Sequence, residues 1–230
     1  MVYARLIRWA FARFYREFAW TYDAVAAAVS GGRWAAWGRA TLPYLCGRVL
    51  EIGCGTGNLQ RALVTRPAEP GPVGFDASPQ MLALARRKLA RAGLPAHLAR
   101  GLAQALPFPS ASFDSVVATF PSEYILEPST LAEARRVLRP GGRLVVALAA
   151  TLGEDGLYER LVDLLYRLTL QRSPRAAAER QPDSLVARRL AAIGFAVEER
   201  WDMAADSQVH LIIGRRSTDE TDGKRTKQNQ

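Results

Sequence analysis

Short apolar runs separated by amphipathic stretches form the main pattern of the chain between residues 45 and 150. The runs at 49–52, 72–75, 113–120 and 143–146 are rich in Val, Leu, Ile and Phe and lie beside turn residues, which predicts buried strands. The stretches between them repeat apolar residues at the spacing of amphipathic helices. Strands that alternate with helices indicate the α/β class, with the strands in a largely parallel sheet.

A strongly amphipathic segment opens the chain. Its apolar side chains form one helical stripe and its arginines gather opposite, with Tyr3, Ile7, Phe11, Phe14 and Phe18 in the stripe and Arg5, Arg8, Arg13 and Arg16 facing away. Two interpretations stay open: the stripe packs on the domain, or residues 1–20 form an interfacial helix whose arginines contact an anionic membrane. Residues 1–44 are predicted to form a helical extension that covers the active site.

Composition adds further constraints. The chain has 230 residues, 49% hydrophobic and 23% charged, which is typical of one soluble globular domain with a sizeable core. Its two cysteines and two histidines form no metal-site or disulfide pattern, so no metal is expected. No apolar run approaches the roughly 18 residues of a spanning helix. The expected location is cytoplasmic, with peripheral attachment at the inner face of the membrane as the alternative that the first helix raises.

The most informative local pattern is RVLEIGCGTGN, a strand that runs into a glycine-rich turn. Gly53, Gly55 and Gly57 alternate, which lets the backbone turn tightly and approach a ligand without a Cβ in the way. A helix is predicted to begin near Thr56, with its first amides toward that ligand. A dinucleotide fingerprint would need its third glycine where the chain has Asn58, so NAD is disfavoured.

The second predicted strand ends in an acid, Asp76. An Asp about 20 residues beyond a glycine turn is where an α/β nucleotide site places a carboxylate that accepts from both ribose hydroxyls. Ser78 follows and is predicted to cap the next helix.

Four segments occur in order: VLEIGCGTGN, GFDASPQML, ALPFPSASFDSVVA and RVLRPGGRLVV. Together they resemble the class I S-adenosylmethionine-dependent methyltransferases, especially the small-molecule and lipid branch that includes ubiquinone/menaquinone-type and phospholipid methyltransferases. The resemblance implies a doubly wound, mostly parallel, seven-stranded Rossmann-like sheet, whose last two strands, near 195–201 and 208–214, form an antiparallel hairpin. It also implies S-adenosyl-L-methionine as the cofactor and a hydrophobic or lipid-like acceptor.

The resemblance also assigns roles to the residues of the cofactor site. The glycine turn would line the methionine and ribose moieties, Glu51 would orient the turn, and Asp76 would hold the ribose hydroxyls. The full set that we expect to bind the cofactor is Glu51, Gly53, Gly55, Gly57, Asp76, Ala77, Met81, Ala103, Gln104 and Thr119.

The adenine end departs from the family pattern. Ala77 and Met81 would flank the ring, but relatives commonly carry an Asp that accepts from the adenine amino group where this chain has Leu102. A leucine side chain cannot accept that hydrogen bond. We therefore expect the amide of Ala103 or the side chain of Gln104 to contact the adenine instead.

Methyl transfer from a sulfonium is an in-line displacement, so positioning and exclusion of water would supply most of the acceleration. A general base is needed only if the acceptor arrives protonated. Ligands lie outside the carboxyl ends of parallel strands, which makes Glu123 and Tyr124, just after the fourth strand, candidate catalytic residues. The pair Tyr22-Asp23 resembles an element that folds over the cofactor in the quinone and lipid branch, and by that resemblance Tyr22 would close the methionine side of the pocket.

The predicted organisation is an extension over 1–44, a methyltransferase domain over 45–216 with a substrate lid at about 153–182, and a disordered tail over 217–230. The predicted function is methylation of a hydrophobic or lipid-like small molecule, of phospholipid or quinone type, at a membrane surface. An RNA methyltransferase remains an alternative because of the arginine content, although nucleic acid is disfavoured since no RNA-binding module is visible. A non-catalytic protein that binds S-adenosylmethionine on the same fold is the second alternative.

Overall fold

The computed structural model describes residues 22–67, 70–151 and 184–218. Its strands are β1 (Val49–Ile52), β2 (Val73–Asp76), β3 (Leu98–Arg100), β4 (Phe113–Thr119), β5 (Leu138–Thr151), β6 (Phe195–Ala204) and β7 (Ser207–Arg216). They form one seven-stranded sheet in the order β3-β2-β1-β4-β5-β7-β6. Strands β1 to β5 pair in parallel, and β7 runs antiparallel to β5 and β6. The predicted fold class is confirmed.

Helices cover both faces of the sheet. Within the described ranges they are α1 (Tyr22–Ser30), α2 (Trp34–Arg39), α3 (Asn58–Leu63), α4 (Pro79–Arg91), α5 (Pro128–Val137) and α6 (Leu185–Ala192), with short 3-10 helices at Leu42–Tyr44 and Glu123–Leu126. Buried side chains of α5 and α6 pack on one face of the sheet, and those of α3 pack on the other. This arrangement explains why the central strands are apolar on both faces.

Strand β1 shows how the sequence produces this layering. Leu50 and Ile52 join the core on the α5 and α6 side, whereas Val49 joins the core on the α3 side. Side chains alternate across a strand, so a continuous apolar run is needed where both faces are covered. Strand β4 repeats the pattern, with Val116 on the first side and Val117 on the second.

Helix α4 begins as predicted. The Ser78 hydroxyl accepts a hydrogen bond from the Met81 amide at 3.3 Å, which caps the helix. Met81, Leu82, Ala85 and Leu89 are buried at the spacing of one helical face.

The helix predicted near Thr56 starts two residues later, at Asn58. Gly57 precedes it with a φ of +80°, in the left-handed region, which a right-handed helix cannot contain. The glycine turn therefore extends to Gly57, and α3 begins only after it.

The sequence has turn residues, Pro140-Gly141-Gly142, before the run at 143–146, but β5 already begins at Leu138. Pairing begins at Leu138, opposite Phe113, and resumes at Arg143, opposite Ser115. The residues between bulge out of the ladder, and Gly141 within them has a φ of +76°.

Two residues of the described N-terminal extension contact the β6–β7 hairpin. Arg33 forms an ion pair with Asp206 in the β6–β7 turn, and the Tyr44 hydroxyl donates to Asp202 of β6. Residues 1–21, with the arginine-rich stripe, and the predicted lid at 153–182 lie outside the described residues, as does most of the predicted tail. Within the described ranges, no helix combines the length and apolar character needed to cross a membrane.

Candidate functional site

The glycine turn, residues 53–57, leaves the carboxyl end of β1 at the centre of the sheet. The strand order reverses between β1 and β4, and such a switch point is where open α/β sheets bind ligands. The amides of Gly53 and Cys54 both donate to the Phe75 carbonyl, at 2.8 and 3.0 Å, which ties the turn to β2. All three glycines of the turn have positive φ, between +51° and +80°, so their identity follows from the backbone path.

The three glycines face different surroundings. A Cβ on Gly53 would lie 2.4 Å from the Tyr124 hydroxyl, and one on Gly57 would lie 3.0 Å from the Cβ of Ala85 in α4. A Cβ on Gly55 would meet no heavy atom within 4 Å. A side chain at Gly53 would have to displace the Tyr124 hydroxyl, and one at Gly57 would press on α4, whereas Gly55 presents bare backbone to open space, where a ligand can approach.

Asp76 lies beside this open face with its carboxylate fixed by two backbone amides. One oxygen accepts from the Gly55 amide at 2.9 Å, and the other accepts from the Ser78 amide at 2.8 Å. Each carboxylate oxygen has a second lone pair, so both can still accept from neighbouring hydroxyl groups. A diol such as the ribose of S-adenosylmethionine fits this pair of acceptors, and the bare Gly55 backbone leaves room for it.

Glu51 is buried beneath the turn, with 1% of its surface exposed. Burial raises its pKa to about 8, a hydrogen bond from Gln60 opposes the rise, and the negative charge of Asp76 adds to it. The Gln60 side-chain amide donates to Glu51 at 2.8 Å. Burial likewise raises the pKa of the neighbouring Cys54 thiol. At neutral pH, Glu51 is therefore a neutral acid that supports the turn and adds no charge beside Asp76.

The residues predicted to contact adenine have partners that the sequence did not reveal. Leu102 is 62% exposed, and Ala103 is buried behind it. The Gln104 side-chain amide donates to Glu127 at 2.8 Å, which holds the side chain and leaves its oxygen as the remaining acceptor. Met81 is buried in the first turn of α4, and Ala77 is exposed just before that helix.

The predicted catalytic residues occupy three different positions. The Tyr124 hydroxyl donates to the Ile52 carbonyl at 3.2 Å and lies directly over Gly53, so this residue meets the glycine turn. Glu123 is exposed beside it in the 3-10 helix that follows β4. Thr119, which was predicted to bind the cofactor, is the last residue of β4, opposite Ala147 of β5. The backbone of Tyr22 begins α1, but its side chain lies outside what the structure describes.

Sequence analysis missed a polar cluster that joins α1 to the glycine turn. Asp23 accepts from the Thr56 hydroxyl at 2.6 Å, from the Asn58 amide at 3.1 Å and from the Lys88 ammonium at 2.6 Å. Two signals were available, since Asp23 belongs to the Tyr-Asp pair and Lys88 is the single lysine before residue 224. A functional role was predicted only for the tyrosine of that pair.

An aromatic cluster lies at the carboxyl end of β4. The rings of Trp34 and Trp37 in α2 pack around Phe120, with centroids 4.7 and 6.0 Å from it. Phe120 has a φ of +47°, which is unusual for a bulky residue, and its amide donates to the Ala147 carbonyl at 2.7 Å. Such strain persists only where the surroundings fix the residue, and it occurs preferentially at functional sites.

A cavity of about 650 Å³ lies between α5 and α6, at the opposite end of the sheet from the glycine turn. Arg136 and Arg216 line it. Arg136 donates to the carbonyls of Leu106 and Phe108 before β4, and Arg216 donates to those of Arg135 in α5 and Leu138 in β5. These arginines brace loops at the amino end of the parallel strands, away from the glycine turn. No group of metal-ligating side chains occurs among the residues that the structure describes.

Comparisons with known proteins relate the chain to methyltransferases. Residues 49–142 match a family model described as a methyltransferase domain. A demethylmenaquinone methyltransferase from Thermus thermophilus is 44% identical over 102 residues, 43% of this chain and 46% of the relative. Another from Deinococcus radiodurans is 36% identical over 156 residues, 66% of this chain and 64% of the relative. The chain thus spans about half to two thirds of the length of these curated relatives.

Solved structures show the same fold at low sequence identity. A protein from Pyrococcus horikoshii superposes with a TM-score of 0.61 and 20% identity, covering 89% of this chain and 99% of that chain. A SAM-dependent methyltransferase from Aquifex aeolicus gives a TM-score of 0.57 and 18% identity, covering 77% and 88%. At these identities the likeness concerns the fold.

Proposed function

We propose that this chain, which belongs to the class I S-adenosylmethionine-dependent methyltransferases, transfers a methyl group from S-adenosylmethionine to a quinone-type acceptor. The family predicted from the sequence motifs is confirmed. The quinone-type acceptor is supported by the names of relatives that are 34–44% identical to parts of the chain. The observation that carries the proposal is the open backbone at Gly55 beside the fixed carboxylate of Asp76.

Few residues are needed for the chemistry itself. When bound, S-adenosylmethionine would supply a methyl group activated by its positively charged sulfur. Asp76 would hold the ribose hydroxyls, and Tyr124, fixed by its hydrogen bond to Ile52, would limit the pocket beside Gly53 and help to exclude water. Glu123 is the proton acceptor if the acceptor arrives protonated.

The acceptor would lie against the aromatic cluster of Trp34, Trp37 and Phe120. This cluster is at the carboxyl end of β4, beside Thr119, and open α/β sheets place their ligands outside the carboxyl ends of the strands. Aromatic rings offer a flat apolar surface on which a quinone ring can stack. Trp37 is buried against Ala147 and Leu211, so the partly exposed rings of Trp34 and Phe120 would make the contact with the acceptor.

The first test measures the cofactor. Replacing Asp76 by Ala removes two acceptors and should cost about 1–3 kcal/mol, an affinity loss of about tenfold to a hundredfold for S-adenosylmethionine and its demethylated product. Isothermal titration calorimetry on the wild type, Asp76→Ala and the control Asp206→Ala gives the comparison. Asp206 is an exposed acid in the β6–β7 turn, so its variant should bind like the wild type. A wild type that binds NAD but no S-adenosylmethionine would refute the cofactor assignment.

The second test measures the acceptor. Labelled S-adenosylmethionine is incubated with the protein and demethylmenaquinone, oxidised or reduced, and in parallel with phospholipid or RNA. Label in the quinone product alone supports the proposal. Label in RNA or phospholipid, with none in the quinone, would replace the proposed acceptor.

We also propose that the protein acts at a membrane surface. Residues 1–16 contain four arginines and no acid, and each basic residue near an anionic surface contributes about 1 kcal/mol. A variant with Arg5, Arg8, Arg13 and Arg16 changed to Gln should lose co-sedimentation with phosphatidylglycerol vesicles, and salt should weaken the wild type. Equal recovery of both proteins in the pellet, or of neither, would remove the membrane from the proposal.

A further inference from the structure

The cluster of Asp23, Thr56, Asn58 and Lys88, called here the Asp23 cluster, connects three separate elements. Asp23 lies in the first turn of α1, Thr56 and Asn58 flank Gly57 of the glycine turn, and Lys88 lies in α4. Besides its contact with Asp23, the Lys88 ammonium donates to the Thr56 hydroxyl at 3.0 Å and to the Asn58 side-chain oxygen at 2.6 Å. Both residues beside Gly57 are therefore held from two sides.

Helix α4 supports the same turn at a second point. Ala85 is the residue that a Cβ on Gly57 would meet, and Lys88 follows it by three residues on the same helical face. Packing at Ala85 and hydrogen bonding at Lys88 therefore fix Gly57 and its two neighbours together.

The electrostatics of the cluster favour its formation. Burial alone would raise the pKa of Asp23, but hydrogen bonds from Lys88, Thr56 and Asn58 and the charge of Lys88 outweigh it, so the pKa is lowered. The side chains of Lys88 and Asp23 are 25% and 43% exposed. At this exposure an ion pair stabilises the fold only modestly, so its significance lies in what it positions.

The glycine turn needs such support. Three glycines with positive φ make this backbone path accessible, and they also make the turn costly in entropy to order. We infer that Asp23 and Lys88 are positioning residues that fix the glycine turn in its ligand-binding shape, so that cofactor affinity depends on the docking of α1. This inference rests on the proposed function, because the ligand of the turn is taken to be S-adenosylmethionine.

The test compares Asp23→Asn, Lys88→Met and the double variant. Each single change removes the charge pair and keeps the side-chain size. The expected magnitude follows from the cost of ordering one side chain on binding, which corresponds to about a fivefold change in affinity. We expect each single variant to bind S-adenosylmethionine about fivefold more weakly in calorimetry. The double variant should be no worse than the weaker single one, because the cluster acts as a unit.

Arg33→Gln is the matched control. It removes another ion pair of the N-terminal extension, to Asp206 in the β6–β7 turn at the edge of the sheet, and should leave the cofactor affinity unchanged. Lys88→Arg keeps the charge and should restore part of the affinity. Thermal unfolding of all variants separates loss of folding from loss of positioning.

A second readout needs no cofactor. Hydrogen exchange of the amides at residues 55–59 in the ligand-free protein should be faster in Asp23→Asn than in Arg33→Gln. Equal exchange and equal affinity in these two variants would overturn the inference while leaving the proposed function intact. A wild type without affinity for S-adenosylmethionine would instead refute the proposed function, and exchange at 55–59 would still decide whether the cluster fixes the turn.

Discussion

The candidate site has two ends that are built by different means. The cofactor end consists of the glycine turn, with its backbone amides and bare Gly55, and the neighbouring Asp76. The proposed acceptor end consists of Trp34, Trp37 and Phe120, side chains that come from two distant segments of the chain. Backbone geometry that only glycine can adopt leaves a mark in the sequence, whereas apolar packing can be achieved by many residue types. The cofactor end can therefore be predicted from the sequence, whereas the acceptor end cannot.

The strongest test of this distinction changes a glycine of the cofactor end. Gly57→Ala places a Cβ at a φ of +80° and 3.0 Å from the Cβ of Ala85. Left-handed strain of about 1–2 kcal/mol and overpacking of about 1–3 kcal/mol should together lower the free energy of unfolding by about 2–5 kcal/mol. Urea unfolding measures the change.

Gly38→Ala is the control for that change. A Cβ on Gly38, in α2, would meet no heavy atom within 4 Å, and its φ is ordinary. Alanine should therefore stabilise this helix by about 0.5–1 kcal/mol. If both substitutions had the same small effect, the glycine pattern would reflect composition and not backbone geometry.

The same reasoning explains which parts of the fold were predictable. The continuous apolar runs of β1 and β4 have to satisfy two cores at once, and Ser78 caps α4 with its own side chain, so both features are visible locally. The start of α3 was placed two residues early because it depends on Gly57 packing against α4. The bulge at the start of β5 depends on the register with Phe113 and Ser115, which a local pattern does not contain.

The candidate site follows the same rule. Gly53, Gly55, Gly57 and Asp76 come together as the motifs imply. The bonds from Asp23 to Lys88 and from Gln104 to Glu127 join residues far apart in the chain, and no local pattern specifies such pairs. Their residue types alone are also ordinary for exposed positions.

A pH test sharpens the description of the cofactor end through Glu51. Its pKa is raised from 4.5 to about 8 by burial, so between these values the unfolded chain ionises while the folded protein stays neutral. The contribution of neutral Glu51 to the free energy of unfolding is complete below pH 4.5. It is lost as the pH rises toward 8, with a slope of at most about 1.4 kcal/mol per pH unit. Glu51→Gln removes this titration. The free energy of unfolding of the variant, relative to the wild type, should therefore rise by up to roughly 3 kcal/mol between pH 5 and pH 7.5.

Urea unfolding at the two pH values gives the comparison, and Glu198→Gln is the control. Glu198 is on the exposed face of β6, with 60% of its side chain accessible, so its variant should follow the wild type at both pH values. Parallel pH dependence of Glu51→Gln and the wild type would show that Glu51 is ionised in the folded protein. The turn would then carry a second negative charge beside Asp76.

The smallest expected effect concerns the acceptor end, and it tests whether the two ends are separate. Trp34→Leu removes the ring that packs 4.7 Å from Phe120, an aromatic contact of about 0.5–1.5 kcal/mol. If the quinone-type acceptor stacks there, its KM should rise about fivefold, while the calorimetric affinity for S-adenosylmethionine stays the same. Trp34→Phe keeps an aromatic ring and should retain most of the wild-type KM. A parallel loss of cofactor affinity in Trp34→Leu would mean that α2 supports the glycine turn as well, and that the two ends form one unit.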